Sequence, residues 1–129
     1  MAGDRLAGLV HAPVTPFTRA GRVDFEVYGR LIEFHLRHGA DALALPMHAG
    51  ESVSLTETER RALIEHAVKQ VRGRVPIVVH VSDAGTGIAA AHARHAEAVE
   101  RPQSSQRPPI TGRRRRRWCW SISRRSRRR

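Results

Sequence analysis

The stretch Ala42-Leu43-Ala44-Leu45-Pro46-Met47-His48-Ala49-Gly50-Glu51-Ser52 constrains the fold more than any other part of the chain. Its first four residues are small or apolar without alternation, the pattern of a short strand buried on both faces of a parallel sheet. Pro46 has no N–H to donate and stops the ladder. Gly50-Glu51 closes a tight loop. Thr56-Glu57-Thr58-Glu59 then opens a helix in capping-box order, a hydroxyl followed three residues later by a carboxylate. Strand, polar loop and helix in succession make a βα unit, and sheets built of such units place their chemistry at the carboxyl edge of the strands.

The same unit occurs once before and once after. Leu9 to Val14 predicts a strand, which Thr15-Pro16-Phe17-Thr18 ends because Pro16 cannot donate and holds Thr15 extended. Ala20-Gly21-Arg22 is a turn, and Asp24 is placed to cap the helix that follows. Tyr28, Leu31, Ile32, His35 and Leu36 recur at helical spacing as its inward stripe, and Gly39 ends it. The second helix should bury Leu63, Ile64, Ala67, Val68 and Val71 and end at Gly73. Val75 to Val81 predicts the third strand, with Pro76 at the permitted first position. Ser82-Asp83-Ala84-Gly85 is a polar loop, and Gly87 to Val99 an Ala-rich third helix. The class is α/β, in the order βαβαβα. Short connections predict parallel strands, either in an open sheet or in part of a (β/α)8 barrel. No dinucleotide fingerprint or phosphate loop interrupts the pattern.

The net charge of +11 describes neither part of the chain. Residues 1–100 hold 11 Lys and Arg against 12 Asp and Glu, whereas residues 101–129 hold 12 Arg and no acid. The chain divides accordingly into a domain at 1–100 and a basic low-complexity tail at 101–129. Cys119 is the sole cysteine, so no internal disulfide forms. The start, Met-Ala-Gly-Asp-Arg, has no apolar leader pattern and no apolar run approaches spanning length, which leads us to expect a cytoplasmic protein and no membrane partner. The eight histidines all lie before residue 101, and no two of His35, His38, His66, His92 and His95 with a carboxylate make a metal site. Nothing calls for a cofactor.

Several motifs in order resemble one family. They are Ala12-Pro13-Val14-Thr15-Pro16-Phe17-Thr18, Val23-Asp24-Phe25, Leu31-Ile32-Glu33-Phe34-His35, Gly39-Ala40-Asp41, Gly50-Glu51-Ser52, Leu55-Thr56-x-x-Glu59-Arg60, Gly73-Arg74-Val75-Pro76-Ile77 and Ala93-Arg94-His95-Ala96-Glu97. Together they resemble the start of the dihydrodipicolinate synthase / N-acetylneuraminate lyase family, through about residue 98. The resemblance implies the first three βα units of a (β/α)8 TIM barrel and a lyase of the aldolase or dehydratase type. In that chemistry a lysine on the sixth strand forms a Schiff base with pyruvate or another 2-oxo acid. A tyrosine on the fifth strand moves the proton, and a Gly-Thr-Thr-Gly-Glu loop grips the substrate carboxylate. It also implies a small-molecule 2-oxo acid partner and, for full-length relatives, a homo-oligomer. The Schiff-base lysine and the catalytic tyrosine both lie beyond the matching region, so no catalytic residue is assigned.

Here Met47-His48-Ala49-Gly50-Glu51 stands where the family has Gly-Thr-Thr-Gly-Glu. Both hydroxyls are gone. His48 can donate to a carboxylate or move a proton; Ala49 has only its backbone to offer. The substrate-binding candidates are His48, Ala49, Gly50 and Thr15, and the departure favours a divergent branch acting on another 2-oxo acid. His48 read as a solvated loop histidine, and Thr15 as an ordinary strand-end threonine, are the competing readings. His80 faces the same rim, where packing is the simpler role. His35, His38, His66, His92 and His95 fall on helices as packed or solvated residues.

The tail admits two readings. As a basic arm, Arg113 to Arg117 beside Trp118 and Trp120 would bind phosphates and stack on bases, making a small nucleic-acid- or anionic-surface-binding protein. As a shifted reading frame, with C or T at the wobble positions, Arg107-Pro108-Pro109-Ile110-Thr111-Gly112 re-reads as Pro-Pro-Tyr-Tyr-Trp and the arginine run, as CGN repeats, as prolines; Trp118-Cys119-Trp120 re-reads as Val-Leu whatever the wobble base. The family continues with Pro-Pro-Tyr-Tyr at that distance. The second reading is preferred: a net loss of one base near Ala98, a truncated, inactive lyase, no specific nucleic-acid partner, and a disordered Arg-rich tail.

Overall fold

The computed structural model describes residues 6–100 and the strand Cys119–Trp120. The elements run β1 (Val10–His11), α1 (Phe25–Arg37), β2 (Ala42–Leu45), α2 (Glu57–Val71), β3 (Ile77–His80), α3 (Thr86–Glu100) and β4 (Cys119–Trp120). The strands form one sheet in the order β1-β2-β3-β4, each pair parallel. The described part of the chain is thus three βα units side by side, with a fourth short strand at the far edge.

The helix ends follow the local chemistry expected of them. Asp24 caps α1, its Oδ1 accepting from the Val27 N–H at 3.0 Å. Thr56 and Glu59 close a full capping box on α2: the Glu59 N–H donates to the threonine hydroxyl at 3.3 Å, and the Thr56 N–H donates to the Glu59 carboxylate at 2.9 Å. α2 ends one residue before Gly73, at Arg72 in the left-handed region with φ 52°. The third helix starts at Thr86, one residue earlier than the sequence suggests.

Two strands are shorter than expected. β1 keeps only Val10 and His11 of the predicted Leu9–Val14. It pairs with a single neighbour, β2, and Pro13 and Pro16 lie just beyond it. β3 keeps Ile77–His80 of the predicted Val75–Val81. The expectation of a disordered Arg-rich tail falls largely on residues outside those described. Cys119–Trp120 is the exception, pairing in parallel with Val79 and His80.

The core lies between the sheet and its helices. Leu43 and Leu45 of β2 sit opposite Ile77 and Val79 of β3 in the ladder. These four, with Val81, pack against Tyr28 and Ile32 of α1, Leu63, Ile64, Ala67 and Val71 of α2, and Ala96 of α3. Of the predicted α1 stripe, Tyr28 and Ile32 are fully buried, while Leu31, His35 and Leu36 are half-buried. The alternate residues Ala42, Ala44, Val78 and His80 lie on the other face. Among the described residues, no helix is long and apolar enough to cross a membrane.

The start of β1 is tied to β2 by the Asp41 and Ala42 N–H groups, which donate to the Leu9 carbonyl at 2.9 and 3.3 Å, and by a side-chain latch. The Leu9 N–H donates to the Asp41 carboxylate at 2.8 Å. Gly8, with φ +94°, makes that approach possible; a Cβ there would lie 2.1 Å from Asp41 Oδ2. Gly8→Ala is therefore expected to cost about 1–3 kcal/mol, combining left-handed strain with loss of the latch. A urea midpoint unchanged from the parent chain would show that the latch carries no stability.

Candidate functional site

β1, β2 and β3 all end at one rim, and the loops leaving them meet there. After β2, Pro46 and Met47 lead into a single 3-10 turn, His48–Gly50. The N–H groups of Gly50 and Ser52 donate back to the Met47 carbonyl at 2.9 and 3.2 Å, and that of Glu51 to the His48 carbonyl at 2.9 Å. Glu51 takes the left-handed conformation, φ 55°.

The turn is fastened to the loop after β1. Thr15, buried, donates its hydroxyl to the Gly50 carbonyl at 2.7 Å. Gly50 itself has no room for a side chain, since a Cβ would sit 2.9 Å from the Pro13 carbonyl and 3.3 Å from the Thr15 hydroxyl. With Gly50 held from below, His48 and Ala49 are presented outward, both exposed. The four candidate residues are brought together, but Thr15 acts as the clamp on the turn while His48 and Ala49 form its open surface.

Three residues join this site that sequence reasoning set aside or did not consider. The ring of His80, at the end of β3, stands 5.3 Å from that of His48, at 62° between planes. Against His80 lies Arg60, in the first turns of α2 and only 4% exposed. Its guanidinium donates to the Ser52 carbonyl at 3.4 Å and to the His80 carbonyl, and reaches His80 Nδ1 at 3.4 Å. One buried cation thereby ties the loop after β2 to the end of β3. His92 of α3, buried, lies 3.8 Å from Asp83 on the next loop and completes the ring of polar groups.

The electrostatics favour neutral imidazole. Burial holds His80 below its ordinary value, and the charges of Arg60, His48 and His92 add to this, while a hydrogen bond with the Pro46 carbonyl opposes it. His92 is lowered by burial and by Arg60, with Asp83 and Glu57 opposing. Burial also lowers His35, next to His11 and His38, and His66, next to Lys69. In the unfolded chain these four histidines take up protons as pH falls through their ordinary value of 6.5. In the folded chain they do so only at lower pH. The unfolded state then binds more protons, so stability is fully present above about pH 6.5 and falls as the pH drops from there through the lower folded values. Urea midpoints measured from pH 7.5 to 5 should decline; a flat profile would contradict the burial of these rings.

Among the described residues, no group of three or more His, Cys, Asp or Glu is arranged to hold a metal ion. An open groove of about 540 Å³ lies away from the rim, between α1 and α2, lined in part by Phe25, Glu33, Phe34, Arg37 and Gln70. Of its polar side chains, Glu33 is taken up by Gln70 and by Arg74, both of which donate to it. The convergent groups at the strand ends make the rim the candidate site.

Comparison with known proteins places this geometry. The sequence profile of the Dihydrodipicolinate synthetase family matches residues 5–100. The chain is 43% identical over 76 residues to the 4-hydroxy-tetrahydrodipicolinate synthase of Bacillus subtilis strain 168, covering 59% of this chain and 24% of that protein. It is 44% identical over 85 residues to the 4-hydroxy-tetrahydrodipicolinate synthase of Aquifex aeolicus, covering 66% and 27%. The crystal structure of dihydrodipicolinate synthase from Aquifex aeolicus superimposes with a TM-score of 0.69 at 39% identity, over 72% of this chain and 31% of that one. The chain spans about a quarter to a third of the length of the curated relatives it matches.

Proposed function

Because the chain belongs to the dihydrodipicolinate synthetase family, we propose that residues 1–100 carry the substrate-carboxylate loop of a Schiff-base-forming lyase acting on pyruvate or another 2-oxo acid. The fold is that of the first three βα units of a TIM barrel. The observation that carries the reading is the fastening of Gly50 by Thr15 at the rim, which holds His48 and the Ala49 backbone outward. A carboxylate meeting that turn finds an imidazole and backbone N–H groups, the donors that such a group requires. The loop here lacks both hydroxyls of the family's Gly-Thr-Thr-Gly-Glu pattern, which supports a different 2-oxo acid as substrate.

Residues 1–129 alone are proposed to be inactive. Tyr28, the only tyrosine, is buried among core residues, with burial raising its hydroxyl far above the ordinary value. Lys69, the only lysine, is exposed in the last turn of α2. The residues after 100 are proposed to be read out of frame. With C or T at the wobble positions, Arg107 to Gly112 re-read as Pro-Pro-Tyr-Tyr-Trp, Trp118-Cys119-Trp120 re-read as Val-Leu whatever the wobble base, and GC-rich coding accounts for the arginines without a partner. The coding DNA is the test. One additional base near codon 98 should open a frame of about 300 residues, a usual barrel size, whose product is trapped by borohydride in the presence of pyruvate. Repeated reads that confirm the arginine codons base for base would overturn it. Specific binding of a nucleic acid, abolished by removing residues 101–129, would establish the basic-arm reading instead.

A further inference from the structure

Arg60 is a buried cation without a carboxylate at ion-pair distance among the described residues; its acceptors are two backbone carbonyls and one imidazole nitrogen. A guanidinium can only donate. With Arg60 pointing at Nδ1 of His80 from 3.4 Å, that nitrogen must accept, and the ring proton sits on Nε2. The same guanidinium grips the His80 carbonyl, so backbone and ring of this residue are fixed by one group.

His48 is different. It is exposed, on a turn, and no described hydrogen bond holds its ring. Its ring contact among the described aromatic and histidine pairs is His80, edge to face at 5.3 Å. A solvated histidine on a loop exchanges between side-chain rotamers within nanoseconds, whereas a group that meets substrate works best when held in one. We propose that His80 is a positioning residue for His48, holding the exposed ring in a single orientation at the substrate loop, and that Arg60 is what makes His80 rigid enough to do so. The inference rests on the reading of His48–Gly50 as the carboxylate loop. It adds two residues from other elements, α2 and β3, to the determinants of how that loop meets its ligand. The charged and titratable groups facing His80 are Arg60 from α2, His48 from the loop and His92 from α3, with Asp83 beyond them.

The test needs no ligand and no activity. The χ1 torsion of His48 is measured in the labelled full chain by three-bond couplings, or by dipolar recoupling if the protein is handled as a sediment. The expected result is one rotamer in the parent chain and rotamer averaging in His80→Ala. His80→Phe, which keeps a ring at the same place, should restore the single rotamer; a purely structural role for the histidine would not distinguish the two variants in this readout. In Arg60→Lys, which keeps the charge but loses the fork, nitrogen shifts of His80 should move from one tautomer towards a mixture. The proposal is overturned if His48 is averaged in the parent chain, or if its torsion is the same in His80→Ala as in the parent. Either result leaves the lyase reading standing, since that is decided on the coding DNA.

Discussion

Borohydride reduction of residues 1–129 in the presence of pyruvate should yield no stoichiometric adduct on Lys69. A Schiff-base lysine must reach the carbonyl carbon of a bound substrate, and its amine must be desolvated enough to attack uncharged. Lys69 meets neither condition. In a βα unit the helix starts at the rim where its strand ends, so the start of α2, at Arg60, is beside the site and its last turn is at the opposite edge. Nine residues separate Arg60 from Lys69, about 13 Å along the axis at the rise of an α-helix. The side chain is exposed at the sheet's other end, away from Thr15, Gly50 and His48. Intact-mass analysis after reduction reads the outcome directly, and one equivalent of adduct mapped to Lys69 would refute the proposed inactivity.

Arg60→Met should lower stability by about 2–3 kcal/mol. Methionine retains most of the stem and its packing, so the change isolates the hydrogen bonds. Ser52, whose carbonyl accepts from Arg60, is 4% exposed, and the second carbonyl, on His80, terminates a strand inside the sheet. A buried carbonyl that loses its donor costs about 1–3 kcal/mol. Relief of the penalty for burying an unpaired charge offsets part of the sum for the two. With a slope of about 1–2 kcal/mol per molar urea for a domain of this size, the midpoint should fall by roughly 1–3 M. Arg60→Lys, able to serve one carbonyl, should lie between the two. A parent-like midpoint in Arg60→Met would mean that loop and strand are held together by something else.

Much of the scaffold was legible because its signals are local. Asp24, Thr56 and Glu59 cap with their own side chains, so the residue type and its spacing were sufficient. The apolar stripes of α1 and α2 recur at fixed intervals. What escaped depends on contacts across the chain. β1 is two residues long because it has one neighbour in the sheet, which no window of sequence records. Arg60 entered the sequence analysis only as the end of the Leu55-Thr56-x-x-Glu59-Arg60 motif; its importance comes from His80, twenty residues later. A signal did exist. Arg60, Ile64, Ala67 and Val71 share one helical stripe, and a charged residue at the head of a buried stripe asks where its charge goes. His80 was placed at the rim but given a packing role; alternation adds its face, since Ile77, Val79 and Val81 facing the helices leave Val78 and His80 to the other side.

The pairing of Cys119 and Trp120 with β3 has a consequence for how a chain of this kind is made. A β-ladder is read through N–H and C=O groups, which every residue but proline carries alike. The free side of β3 is therefore a template that does not check the identity of what it receives. As a nascent barrel leaves the ribosome, each new strand becomes such a template until its successor arrives, and fidelity has to come from the order of arrival together with the side chains that must then pack behind the strand. A strand that satisfies the first requirement and fails the second will be taken on and then left uncovered.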